Sequence, residues 1–165
     1  MKLYVMRHGP AEDHVDSGID ADRPLSASGR QRVGAVARLL VQEHEEPVSI
    51  ITSPLVRAVQ TAEIVAIVTN LGDKDGTVAV RREIAPGGDA VRLVHRLVAD
   101  GSKRVMLVGH EPDLSGLAST LLGSFGRAFD KAMVVGIHMP PGGARPRLRF
   151  VLEPKGLRID AEPDC

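Results

Sequence analysis

Aromatic side chains are nearly missing from this chain: there is no Trp, one Tyr and three Phe in 165 residues. A core without large rings must be assembled from Val, Leu, Ile and Ala, which suits helices layered on a sheet. Cysteine is almost as scarce. Cys165 is the one example and has no intrachain partner, which excludes a disulfide framework and fits a reducing cytoplasm. An excess of either charge is lacking too, with 21 Lys plus Arg against 21 Asp plus Glu. There is then no basic field to hold a nucleic acid and no acidic tail, so any selectivity for anions has to be local. No stretch approaches the ~20 apolar residues of a membrane span. Met1-Lys2 leads into a strand-length run that stops at Arg7, too short and wrongly flanked for a signal peptide. A cytoplasmic protein with no membrane partner is expected, as a single domain over residues 1–165, since the length provides one sizeable core.

The chain alternates strand and helix signals. Leu3 to Met6 reads as a buried strand that ends abruptly at Arg7-His8-Gly9, and the polar stretch Pro10 to Pro24 as a long loop across its mouth. Ser26 is the expected N-cap of a helix to about Gln42, with Val33, Val36, Ala37, Leu40 and Val41 on its inner face. Val48 to Thr52 reads as a second strand. Ser53-Pro54 then reads as an N-cap followed by proline at the first helical position, opening a helix to about Asn70. Thr77 to Val80 is a third strand, Arg81 to Gly88 a loop, and Asp89 the cap of a helix to about Asp100. Arg104 to Val108 is a fourth strand, followed by Gly109-His110-Glu111-Pro112 and a short helix capped by Asp113 and reaching about Leu122. Ala132 to Met139 and Arg147 to Leu152 form a closing strand pair, and the tail from Glu153 is expected to be irregular. The pattern predicts an α/β fold in three layers, with a mostly parallel central sheet covered by helices on both faces. The mouths of three strands, bearing Arg7-His8, the region of Arg57, and His110, should then open on one side.

Such a mouth suits phosphate. A phosphoryl group in transfer spreads negative charge over its oxygens, so catalysis is mainly placement among positive charges. His8 can attack phosphorus through one ring nitrogen while its other N–H is held by a carbonyl or carboxylate. Arg7, Arg57 and a protonated His110 would supply the charge that a metal otherwise brings, so neither metal nor cofactor is required.

Three blocks carry a family resemblance: Val-Met-Arg-His-Gly at 5–9, Ser-Pro-Leu-Val-Arg-Ala-Val-Gln-Thr-Ala at 53–62 and Val-Gly-His-Glu-Pro at 108–112. They resemble the histidine phosphatase superfamily, the phosphoglycerate-mutase-like fold. The Asp-Arg-Pro-Leu-Ser stretch at 22–26, Gly29 after it, and the lack of room for a cap insertion are similar to its short SixA-type phosphohistidine phosphatases. The resemblance implies that His8 is the nucleophile and that Arg7, Arg57 and His110 complete a phosphate pocket. It implies a metal-independent hydrolysis of protein phosphohistidine through a covalent phosphohistidine, the partner being a histidine-containing phosphotransfer domain. It also makes Glu83 the nearest match to an acidic proton donor of larger members, the alternative being a charge on the rim. Arg23 is either a further substrate contact from the long loop or a loop salt-bridge or capping residue.

Other readings stay open at this point. A small-molecule phosphomonoesterase of the same superfamily would use the same four residues on a small phosphoester. A non-catalytic phosphate-binding module would keep the pocket without turnover. A metallohydrolase built on His8, Asp13, His14, His110 and Asp113 has no HxH or HExxH spacing behind it. His14, His44, His95 and His138 are scattered and receive no chemistry.

Overall fold

The computed structural model describes residues 1–161, apart from the side chain of Lys74. Cys165, and with it the expectation about disulfides, lies outside the described residues. The core is a seven-stranded sheet: β1 (Lys2–Arg7), β2 (Ser49–Thr52), β3 (Thr77–Val80), β4 (Arg104–Gly109), β5 (Val134–His138), β6 (Arg147–Glu153) and β7 (Arg158–Ala161). Its order is β3-β2-β4-β1-β5-β6-β7. The first four strands run parallel, whereas β5, β6 and β7 join as an antiparallel ribbon on the far side of β1.

Four helices cover the sheet: α1 (Ala27–Gln42), α2 (Val56–Val68), α3 (Ala90–Ala99) and α4 (Asp113–Leu122). Each face has its own apolar cluster, and the continuous run in β1 feeds both. Tyr4 and Met6 pack with Val33, Val36 and Leu40 of α1 and Ala58, Ala62 and Val65 of α2. Leu3 and Val5 pack with Leu93 and Val94 of α3 and Leu114, Leu117 and Leu121 of α4. A strand buried on both faces has no polar side to alternate with, which is why Leu3 to Met6 is unbroken. Among the described residues, no helix is long and apolar enough to cross a membrane.

Local chemistry fixes the helix starts, with two departures from expectation. Ser26 caps α1 by accepting from Gly29 N–H at 3.0 Å, and Asp89 caps α3 by accepting from Arg92 N–H at 2.9 Å. Helix α2, however, begins two residues later than Ser53-Pro54 suggests, with Leu55 in the cap position. Pro112 likewise precedes α4, and the Asp113 carboxylate accepts from Gly87 N–H at 3.0 Å in the loop opposite instead of capping its own helix. The described part of the tail, to Ala161, is also not irregular, because β7 pairs with Phe150–Glu153 of β6. Gly156 and Leu157 take positive φ to make the turn, and Ile159 then packs on the α1/α2 cluster. Gly29 shows a steric demand of its own: a Cβ there would lie 1.9 Å from the Pro10 carbonyl oxygen, so α1 can press on the chain just after His8 only with glycine at that position.

Candidate active site

The register of the parallel strands aligns their carboxyl ends. Arg7 is level with Gly109, Thr52 with Val108 and with Val80. The ladder continues one residue further at two places, with His8 N–H donating to Gly109 O and Ser53 N–H to Val108 O. His8, Ser53 and His110 therefore emerge together where the strands stop, at the crevice where open α/β sheets receive ligands.

Each side chain is held from a different element. The His8 Nδ1 is 2.7 Å from Gly9 O. A carbonyl only accepts, so Nδ1 carries the proton and the neutral ring keeps its lone pair on Nε2. Gly9 N–H donates to Thr61 Oγ1 at 3.1 Å, and Thr61 Oγ1 donates to Arg57 O at 2.7 Å, which ties this turn to α2. The His110 ring lies with its centroid 5.0 Å from that of His8. Its Nε2 is 2.8 Å from Ser53 Oγ. Arg7 donates through one terminal nitrogen to Phe129 O at 2.7 Å. Arg57, on the first turn of α2, directs its fork to Asp20 of the long loop, donating to the Asp20 carbonyl at 2.7 Å and to its carboxylate at 2.9 Å.

His8, Arg57 and His110 are 7%, 8% and 5% exposed, so charge is expensive here. Burial, with the fields of His110, Arg57 and Arg7, pushes the His8 pKa down to about 3. Burial and the guanidinium of Arg57 likewise push His110 down to about 4, against the opposing pull of Asp113 and Asp20. His110 is thus neutral at pH 7 in the unliganded protein, and the expectation of a protonated ring here does not hold: two guanidinium groups and low solvation disfavour a third cation. Among the described residues, the buried polar side-chain atoms without a partner are Arg7 Nε, Arg104 Nε and His110 Nδ1. Two of the three belong to this site, and buried donors of this kind ordinarily find partners.

Arg7, His8, Arg57 and His110 come together as the spacing of the motifs requires, but Glu83 and Arg23 take other partners. Glu83 forms an ion pair with Arg96 of α3. Bonds from its own backbone and from Arg96 hold its carboxyl below the usual range, so it stands as a carboxylate and not as an acid poised to give a proton. Arg23 donates to Glu12 O at 2.6 Å and to the Asp20 carboxylate at 2.8 Å, fastening the loop upon itself. Asp13 and His14 are exposed on that loop and Asp113 is engaged by Gly87, so they do not join the two rings. Among the described residues, no group of three or more His, Cys, Asp or Glu could hold a metal. Ser53 and Asp20 are the site residues that sequence reasoning missed. The Ser-Pro pair had signalled a helix start, and nothing distinguished Asp20 from its acidic neighbours in the loop.

Two imidazoles and two guanidinium groups at the carboxyl edge of a parallel sheet are a donor set that would suit a tetrahedral oxyanion. The family model of the histidine phosphatase superfamily (branch 1) matches residues 3–75. The chain is 32% identical over 125 residues to the phosphohistidine phosphatase SixA of Escherichia coli (strain K12), covering 73% of this chain and 74% of that protein. It is 38% identical over 153 residues to an uncharacterised protein of Picosynechococcus sp., covering 88% of each. The solved structure of the protein histidine phosphatase SixA complexed with tungstate superposes with a TM-score of 0.85 at 25% identity, over 96% of this chain and 100% of that one. The chain belongs to the histidine phosphatase superfamily.

Proposed function

We propose that this chain is a metal-independent phosphatase that removes the phosphoryl group from protein phosphohistidine, with His8 as the covalent acceptor. The observation that carries this reading is the His8 ring itself: buried, held neutral by that burial, fixed through Nδ1 on Gly9 O and, among the described residues, without a hydrogen-bond partner at Nε2. The relative named phosphohistidine phosphatase SixA supports the substrate class, and the tungstate in the solved SixA structure supports an oxyanion site.

In the first step His8 Nε2 forms a bond to phosphorus as the substrate P–N bond breaks, and the bonding pair leaves with the substrate imidazole, which takes a proton from solvent. Arg7, Arg57 and His110 gather around the phosphoryl oxygens, Arg57 having exchanged the Asp20 carboxylate for one of them. In the second step water attacks phosphorus, its P–O bond forms as the P–Nε2 bond breaks, and inorganic phosphate leaves with His8 restored. A P–N bond to imidazole is labile compared with an alkyl ester, so the engagement of Glu83 by Arg96 does not obstruct this chemistry. The connection from β3 to α3 is confined to residues 81–89, too short for a cap insertion, which supports a phosphate carried on another protein.

The test is incubation of the purified chain with a ³²P-labelled histidine-containing phosphotransfer domain in excess EDTA. Loss of label from the domain and appearance of inorganic phosphate are expected. Unchanged label would end the phosphohistidine reading, and much faster release from sugar phosphates would move the substrate class to small phosphoesters.

A further inference from the structure

The contact between Ser53 and His110 links two of the sequence blocks yet has no part in the chemistry above. Ser53 is fully buried and its Oγ lies 2.8 Å from His110 Nε2. The hydroxyl is not spent on helix capping, since Leu55 holds the cap position of α2. It does accept, at 3.3 Å, from Leu55 N–H.

A hydroxyl has one proton to give. Leu55 N–H occupies one of the two lone pairs of the oxygen, and a Ser53 proton donated to Nε2 would complete the hydroxyl's bonding, with Nε2 as its acceptor. The His110 ring is neutral, so an unprotonated Nε2 puts the ring proton on Nδ1. That atom is buried and has no partner among the described residues, and its ring lies against that of His8. The opposite tautomer would turn a lone pair toward the phosphoryl oxygens, which are acceptors only, and repel them.

We infer that Ser53 is a positioning residue: its hydroxyl donates to Nε2 of His110 and fixes the Nδ1–H tautomer, so that Nδ1–H is a ready donor to an oxygen of the transferring phosphoryl group. The register that carries Ser53 one step beyond β2, through Ser53 N–H on Val108 O, is what sets the hydroxyl beside the ring. The inference rests on the phosphoryl-transfer reading for its purpose, whereas the tautomer itself can be measured without any substrate.

Long-range ¹H–¹⁵N correlation spectra of the ¹⁵N-histidine-labelled full chain, with the His110 signals assigned from the His110→Asn variant, test it. The expected wild-type pattern at pH 7 is a protonated Nδ1 and an unprotonated Nε2 at His110, with the Nδ1–H proton moving downfield as tungstate is added. A proton on Nε2, or an Nδ1–H resonance indifferent to bound tungstate, would overturn the proposal. Ser53→Ala is expected to give mixed tautomers and a kcat lower by roughly 10- to 100-fold, the range of one lost oxyanion donor or less. Ser53→Thr, which keeps the hydroxyl, should restore both. An Ala variant that stays folded by circular dichroism with the wild-type tautomer and rate would also overturn it. Should that variant fail to fold, the wild-type spectrum and its tungstate titration decide the matter alone. If the chain proves inactive on phosphohistidine while His110 still shows the Nδ1–H tautomer and responds to tungstate, the substrate reading has failed and the positioning role stands.

Discussion

Asp20 holds Arg57 as a substrate oxyanion would, with its carbonyl and one carboxylate oxygen on two nitrogens of the guanidinium. The Arg57 side chain is 9% exposed but the Asp20 side chain 63%, so the pair is half in water and easily exchanged. Arg57 and Arg23 hold the Asp20 carboxyl below the usual range, so it competes as an anion throughout the neutral region. Asp20→Ala is expected to tighten tungstate or phosphate binding about two- to fivefold, the scale of one partly exposed pair, as read by isothermal titration. Weaker binding would mean that Asp20 holds Arg57 in its productive pose and does not compete. His8→Ala should abolish turnover yet leave tungstate affinity within about an order of magnitude, because Arg7 and Arg57 remain. Burst and steady-state phosphate release from the same samples would reveal substantial residual catalysis, which a covalent route through His8 does not allow.

The elements differ in how much of themselves the sequence discloses. The inner stripe and Ser26 cap of α1 are legible because both depend on neighbours three or four residues away. Strand β7 is not: Arg-Ile-Asp-Ala is four residues with two charges, and only pairing with β6 makes it a strand. Ser53 misleads for the same reason in reverse, since the partner that claims its hydroxyl is 57 residues away. That Arg7, His8 and His110 emerge together could be anticipated because parallel strands end level. The rest of the site, Asp20 included, depends on how a loop without periodicity folds back. One inter-element tie was equally invisible. Glu45, just beyond α1, receives Lys2 and the Tyr4 hydroxyl from β1 and Arg149 from β6. Burial works against its charge, but bonds from Arg149, Tyr4 and Lys2 prevail and bring the carboxyl down to about 2. Glu45→Ala would strand the hydroxyl of a fully buried Tyr4 and is expected to lower stability by about 2 kcal/mol in urea titration. Glu45→Gln, which still accepts from Tyr4, should lose less.

At the scale of the whole molecule, the neutrality of the His8 and His110 rings costs folding stability in acid. In the unfolded chain both imidazoles take up a proton near pH 6.5, whereas in the fold they resist until about pH 3 for His8 and about pH 4 for His110. Between these limits the unfolded state binds more protons, so stability falls as pH drops. Denaturant titrations at pH 5 and pH 7 are expected to differ by about 2–4 kcal/mol, with the lower value at pH 5. The stability that Glu45 gains from its depressed pKa is present above the ordinary carboxylate value and is lost only as pH falls toward about 2, outside that window. A double variant, His8→Asn with His110→Asn, should flatten the dependence, and an unchanged slope would place its origin elsewhere.

The bond from Asp20 to Arg57 also governs how the molecule looks from a distance. With 21 positive and 21 negative side chains overall and Arg57 matched at the rim, the field at the mouth rests mainly on Arg7, too little to steer a charged partner strongly. Encounters should then proceed at the pace of unsteered diffusion, about 10⁵–10⁶ M⁻¹s⁻¹, with only a shallow response to ionic strength. Attraction would then act chiefly at contact distance.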